Sequence, residues 1–498
     1  MDPETEIKDT SHIITLASRD RRFPVLKDWK GPVVGVTGYS SGGIHAYLLA
    51  HRRNPRPGDS GDARVRVIAP MHAGSDLLFS LYPNGAVKWM WTAFLLMGGY
   101  MGNFCGMGIN FLKIAMDPDL NGMQKLLGVI DALLKWKPLF NNVSPELLEM
   151  YRIATERRVD ESETAKQFMR VRSARYWCDA EMDGIVEHPI DIPALITTGW
   201  KDDLFCPNES LRAFTSLVDA PRRIIIENHG HTGGFSLPIP IQPDLEKVWI
   251  DAQIENWFDR YLKGIKNNVE GEPRVCYYRD WNPAEFGRSP CWPPAGARDV
   301  PLYLGRSTGE RKGSLSLAKP ARGVPPDVLN NNGMTGSLSL PYLNDMTELF
   351  GGQPVNIPEK IKLFNMPMTG FSYSTEKLPG DVTVAGAVRL MLSYECSEPF
   401  AQLASRIYEV KPDGKEVFVC RGWYEGYNPD IGKMTNTESQ PIEMAACCHR
   451  FSSGSRIKLE LETADITMTW PYPKASTIKL YHDWVMPSRI LLPVVPNK

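Results

Sequence analysis

The chain lacks an excess of charge of either sign. Its 56 lysines and arginines stand against 58 aspartates and glutamates, a net charge of −2, so it offers no electrostatic footprint to nucleic acid or to an anionic membrane surface. Paired cysteine spacing is also missing. The nine cysteines are odd in number and scattered, with no Cys-x-x-Cys or Cys/His ligand pattern, which argues against a disulfide scaffold and against a zinc site. The opening residues, MDPETEIKDTSHIITLASRDRRF, have neither the basic flank nor the apolar core of a signal peptide. A reducing, cytoplasmic setting is therefore expected, and the N-x-S triplets at Asn142 and Asn208 carry no weight as glycosylation sites. Long apolar runs are scarce too. One stretch, Trp89 to Leu112, is long enough to span a bilayer, but it holds five glycines and two asparagines between Lys88 and Lys113. It is expected to be a buried or pocket-lining helical segment, not a membrane span.

What is present is enough chain for two or three packed units, since 498 residues exceed a single core. Apolar runs at 33–37, 65–70, 192–198 and 222–226 are separated by helical patterns. That alternation predicts a mostly parallel sheet with crossover helices. Between 75 and 185 the strand signals vanish. There, Met123 to Lys137 and Ser144 to Arg158 read as amphipathic helices, the second with Ser144 as N-cap and Pro145 at the first helical position. This block is expected to be a helical insertion. A further helix ends near Gly264. Beyond about 272, prolines, glycines and short alternating runs dominate, and Ile457, Leu459 and Leu461 alternate with charged residues as a half-buried strand requires. An α/β unit at 1–74 and 186–270, a helical cap at 75–185 and an all-β sandwich at 271–498 are the expected parts.

The chemistry centres on Gly38-Tyr39-Ser40-Ser41-Gly42-Gly43. An apolar strand precedes it and a helical pattern follows, the context of a nucleophile elbow, where a serine sits on a strained turn and small neighbours at either flank avoid collision. No Lys-Ser/Thr pair follows, so a phosphate-binding P-loop is excluded. A serine hydroxyl needs a base to take its proton, and that base needs a carboxylate to orient it. Both follow in chain order at strand ends: Trp200-Lys201-Asp202-Asp203 after the run at 192–198, and His229-Gly230-His231 after that at 222–226.

The sequence resembles the CocE/NonD serine hydrolases, the family of cocaine esterase and α-amino-acid ester hydrolases, related to X-Pro dipeptidyl peptidases. GYSSGG stands at the family's elbow, PALITTGWKDD at its Gly-Trp-x-Asp motif, WFDRYLKGIKN and WPP at its domain junction. LPGDVTVAGAVRLML, EVKPDG, HRFSSGSRIKLELETAD and PSRILLPV stand in its jelly-roll domain. The likeness covers nearly the whole chain. It implies an α/β-hydrolase domain with a helical cap and a C-terminal all-β jelly roll. It also implies Ser40 as nucleophile, Asp202 rather than Asp203 as the acid, and His231 as the base at the end of the family's Gly-Pro-Trp-x-His pattern. Here Glu227-Asn228-His229-Gly230 replaces the first four residues of that pattern, which leaves His229 as a competitor. The Ser41 N–H is expected to donate to the oxyanion. A second donor in the family is a tyrosine on strands ahead of the elbow, and the 37 residues before Gly38 resemble only the helix that precedes the elbow strand. Trp89, Trp91, Trp177 and Leu204 are expected to line the acyl pocket.

The expected activity is hydrolysis of a carboxylic ester or amide through an acyl-serine, with no metal or organic cofactor. The expected partner is a small acyl ester or amide, and a homodimer is the other candidate assembly. The alternatives are an acyltransferase working from the same intermediate and a non-catalytic binding protein that keeps the triad by descent.

Overall fold

The computed structural model describes residues 3–51, 61–89, 91–92, 162–231, 245–282, 285–309, 311–331, 370–465, 468–469 and 471–496, with isolated positions between 114 and 157. After helix α1 (Pro3–Arg19) come strand β1 (Val34–Tyr39), helix α2 (Ser41–Ala50) and strands β2 (Val65–Met71), β3 (Ala194–Gly199) and β4 (Arg222–Glu227). Helix α3 (Leu245–Tyr261), β5 (Val275–Tyr277) and β6 (Gly287–Ser289) complete this unit. The strands form one sheet in the order β1-β2-β3-β4-β5-β6, parallel from β1 to β5, with β6 antiparallel at the far edge. Alternate residues supply its two faces. Ala194, Ile196, Ile224 and Ile226 pack with α2 on one side, while Leu195 and Ile225 pack with Ile250, Ile254 and Trp257 of α3 on the other. Helices on both faces are what a continuous apolar strand such as Ile224-Ile225-Ile226 needs.

The sheet runs past the boundary expected at 270. Two three-residue strands in a stretch rich in proline and glycine are too short to show a period, and only pairing along β4 reveals them. Between 75 and 185 the described segments Leu77–Leu81, Glu163–Arg170 and Ala174–Cys178 are helical. Apart from isolated positions, the amphipathic helices expected at Met123 to Lys137 and Ser144 to Arg158, and most of Trp89 to Leu112, lie outside the described residues. Among the described residues no helix is long and apolar enough to cross a membrane.

The C-terminal unit is the all-β domain, whose described residues form a nine-stranded and a four-stranded sheet. Ile457, Leu459 and Leu461 point into its core as expected, and all are buried. The opposite face of that strand is not the solvated one the alternation suggests. Glu460 and Glu462 are buried as well, because the strand Arg456–Glu462 lies inside the sheet, and Arg406 on its neighbour reaches Glu462 at 2.9 Å and Asp465 at 3.0 Å. Ala404, Trp423, Ala446 and Met468 of this unit join the core of the α/β unit. Two asparagine amides stitch the joint. Asn84 donates to the carbonyls of Trp423 and Glu443 at 3.0 and 2.9 Å, and Asn208 donates to that of Met444 at 3.0 Å while accepting from the Ala446 N–H at 2.7 Å. Asn208, one of the two N-x-S asparagines, is thus buried in the joint; Asn142 lies outside the described residues.

Candidate active site

Because β1 to β4 are adjacent and parallel, their carboxyl ends share one edge of the sheet, and each delivers one component of the site. Ser40 follows β1 with φ 56° and ψ −120°, a left-handed conformation that costs a non-glycine residue about 1–3 kcal/mol. It is held there on both sides: its N–H donates to the Met71 carbonyl at 2.9 Å and its carbonyl accepts from Gly43 and Ile44. The glycines divide the steric work differently from the expectation. A Cβ on Gly38 would fall 2.4 Å from the backbone of Gly42, and one on Gly43 would fall 2.7 Å from the Ala73 Cβ. A Cβ on Gly42 would meet nothing within 4 Å, so the two tight positions are Gly38 and Gly43. The N–H of Ser41, in the first turn of α2, has no acceptor within the helix.

His231 reaches the serine. Its Nε2 lies 2.9 Å from Ser40 Oγ and its Nδ1 2.9 Å from Asp202 Oδ2. The other carboxylate oxygen, Oδ1, accepts from the backbone N–H groups of Leu204 and Phe205 at 3.1 and 2.9 Å. Burial of Asp202 would raise its pKa, but His231, together with His72, holds it well below the usual carboxylate range. The bend that places Asp202 depends on Gly199, where a Cβ would sit 1.9 Å from the His229 carbonyl. Trp200 anchors the loop by donating its Nε1–H to the Tyr278 carbonyl at 3.0 Å.

Asp203 and His229 stand apart from this line. Asp203 Oδ1 accepts from Trp91 Nε1 at 3.0 Å, and the Asp203 backbone carbonyl accepts from the buried Lys88 Nζ at 2.7 Å. Burial pushes the Asp203 carboxyl up to about 6, against the pull of Arg421 and Lys88. His229 turns toward Glu246 of α3, 3.7 Å away. Of the residues expected to line a pocket, Trp91 lies edge-on to the His231 ring at 5.7 Å. Trp89 is half-buried, next to Lys88. Trp177 and Leu204 are elsewhere. Trp177 packs on His51 just past α2, about ten residues, or ~15 Å, along the helix from the serine. Leu204 is a core side chain, 1% exposed, whose contribution is its backbone N–H; an apolar residue beside the acid has no feature in sequence that separates packing from lining.

The structure adds residues the sequence reading passed over. Tyr39 and Phe205 place their rings 5.7 and 5.1 Å from that of His231. His72, just after β2, lies with Nδ1 3.2 Å from Asp202 Oδ2 and Nε2 2.7 Å from Glu227 Oε1, and all three residues are buried. Burial would lower the His72 pKa, but the Glu227 charge and the hydrogen bonds to Asp202 and Glu227 raise it to about 9. The ligand-type atoms of His72, Asp202 and His231 come within 4.8 Å of one another. Their spacing is that of hydrogen bonds, and all four imidazole nitrogens are already turned to Ser40, Asp202 or Glu227, so the group is a relay rather than a cation cage.

Comparison with known proteins agrees with this architecture. Residues 1–233 match the X-Pro dipeptidyl-peptidase (S15 family), and residues 267–485 match the X-Pro dipeptidyl-peptidase C-terminal non-catalytic domain. Cocaine esterase from Rhodococcus sp. (strain MB1 Bresler) is 25% identical over 309 residues, covering 55% of this chain and 49% of that protein. The chain belongs to the CocE/NonD-like hydrolases. It spans about half the length of that curated relative. The CocE/NonD family hydrolase from Staphylococcus aureus superposes over 99% of this chain and 77% of its own, with a TM-score of 0.60 at 13% identity. An aminopeptidase from the marine sediment archaeon Thaumarchaeota archaeon covers 100% of this chain and 80% of its own, with a TM-score of 0.63 at 16% identity. At these identities the two solved structures speak for the CocE/NonD-like fold. The chain's place in the family comes from its two matched domains and its curated relatives.

Proposed function

We propose that this CocE/NonD-like hydrolase cleaves carboxylic ester or amide bonds through an acyl-Ser40 intermediate. One observation carries the reading: an unbroken line from Ser40 Oγ through His231 to Asp202, with both links at 2.9 Å, starting from a serine held at positive φ. His231 takes the hydroxyl proton as Oγ attacks the acyl carbon, then returns it to the leaving alcohol or amine. Water repeats the sequence to release the acid. Asp202 keeps the Nδ1 proton on the side away from the serine, so that Nε2 presents its lone pair. The Ser41 N–H, at the positive end of α2, donates to the oxyanion. The position of Trp91 against His231 supports a part in lining the acyl pocket. The substrate class is a small acyl ester or amide, and the free thiols of the described cysteines support a reducing, cytoplasmic setting. The test is a fluorophosphonate probe. Covalent labelling of wild type, abolished by Ser40→Ala, is expected; a wild type that stays unlabelled refutes the proposal.

A further inference from the structure

His72 is a buried imidazole that bridges two buried carboxylates at the catalytic edge without touching the serine. A neutral imidazole has one N–H and one lone pair. With both ring nitrogens facing carboxylate oxygens at 3.2 and 2.7 Å in a solvent-free setting, a lone pair on either side would point at an anion. Protonating Asp202 instead would displace a donor, since that carboxylate already accepts from His231 and from two backbone N–H groups. The arrangement is satisfied when His72 carries both protons, and the charges then alternate: Asp202 negative, His72 positive, Glu227 negative. Once His231 has taken the serine proton, the alternation extends to four groups in a row.

The backbone is built to hold this imidazole. His72 sits at φ 43°, its N–H donates to the Thr197 carbonyl at 2.9 Å, and a Cβ on Gly199 would come within 3.1 Å of its Cε1. The groups facing it come from all four strand ends: Tyr39 from β1, with ring centroids 5.1 Å apart, Asp202 after β3, Glu227 at the end of β4, and His231 beyond it at 6.4 Å. Asp203, next to Asp202, is turned away to Trp91. Glu227 stands at the first position of the segment where this chain departs from the Gly-Pro-Trp-x-His pattern, and His72 is its partner.

We propose that His72 is a positioning residue for the triad, a doubly protonated imidazole that holds Asp202 ionised and aimed at His231, with Glu227 keeping it charged. This rests on the acyl-serine reading above. His72 also sets the field at the base: its positive charge offsets one of the two carboxylates behind His231.

The test measures the rate of fluorophosphonate labelling against pH for wild type, His72→Gln and Glu227→Gln, with thermal melts to confirm folding. In wild type a fall is expected on the alkaline side near pH 9, as His72 loses a proton and Asp202 loses a donor. In His72→Gln the acid limb is expected to move to higher pH by about one to two units, because two uncompensated carboxylates favour a protonated base at this separation. That variant should also lack the alkaline fall. In Glu227→Gln the alkaline fall should move to lower pH by about one unit or more. Folded variants that keep the wild-type limbs, whatever their absolute rates, overturn the proposal. If His72→Gln does not fold, the Glu227→Gln shift and the wild-type alkaline fall decide it. A wild type that labels without an alkaline fall sinks the role of His72 alone; one that does not label at any pH sinks the acyl-serine reading itself.

Discussion

Replacing Asp202 by asparagine separates the triad from its neighbours more sharply than deleting the serine does. Asp202 accepts four hydrogen bonds: Oδ1 from the Leu204 and Phe205 N–H groups, Oδ2 from the imidazoles of His231 and His72. An asparagine has one carbonyl oxygen and one NH2. The two backbone donors cannot move without unwinding the loop after β3, so the carbonyl must stay with them, and the NH2 must face the imidazoles. His231 can meet an N–H donor only by turning its Nδ1 lone pair toward it, which leaves its proton on Nε2, aimed at Ser40. The base is then blocked. An inverted tautomer of this kind costs on the order of 10⁴-fold in turnover in a serine protease triad, about 5.5 kcal/mol of barrier. Asp203→Asn has no such consequence: among the described residues its side chain accepts from Trp91 Nε1 alone, and an amide oxygen serves there equally well. Its labelling rate should stay within about tenfold of wild type. The assay is the second-order rate constant for fluorophosphonate labelling. Asp202→Asn within tenfold of wild type, or Asp203→Asn falling as far as Asp202→Asn, would refute the reasoning.

Other expectations follow from the same geometry. Gly42→Ala should leave labelling intact and raise thermal stability by up to ~1 kcal/mol, through helix propensity in open space, whereas Gly43→Ala, pressed on Ala73, should lose about 1–3 kcal/mol and slow labelling as the elbow shifts. Asn208→Ala orphans the Met444 carbonyl and the Ala446 N–H in the domain joint; at about 1–3 kcal/mol for each unpaired group, urea midpoints should fall clearly, and an unchanged midpoint would show that these two bonds contribute nothing. The raised pKa of His72 makes its contribution to stability fully present below about pH 6.5 and lost as pH rises through about 9, so the melting temperature should drop over that window in wild type and less in His72→Gln. Asp203 has the opposite character. Its carboxyl is raised to about 6, so its ionisation weakens the fold as pH rises from about 4 through 6, and Asp203→Asn should melt higher than wild type at pH 8, with the gap closing at pH 4.

The sequence reached far into this molecule wherever the signal is local. Val33 to Thr37, followed by two glycines around a serine, announce a strand, a turn and a helix from adjacent residues. The Gly-Trp-x-Asp and His-Gly-His loops follow apolar runs that can only be buried strands. Ser40 was therefore legible from its own strand end, and the acid and the base from theirs to within a pair each, Asp202 or Asp203 and His229 or His231, between which the family resemblance chose. The alternation at Ile457, Leu459 and Leu461 likewise fixed which side faces the core, because a strand's period is set by its own backbone.

Tertiary structure alone decided the rest. Whether Glu460 and Glu462 meet water depends on what packs around them, and both are buried, with Arg406 on a neighbouring strand taking Glu462 as its partner. Trp177 and Leu204 read the same in sequence whether they line a pocket or fill a core, since hydrophobicity says that a side chain is buried but not against what. His72 follows a strand with no motif around it, 130 residues from Asp202 and 155 from Glu227. Only the side-by-side packing of β2, β3 and β4 brings those three to one edge, and charges become a relay only when the fold removes water from between them.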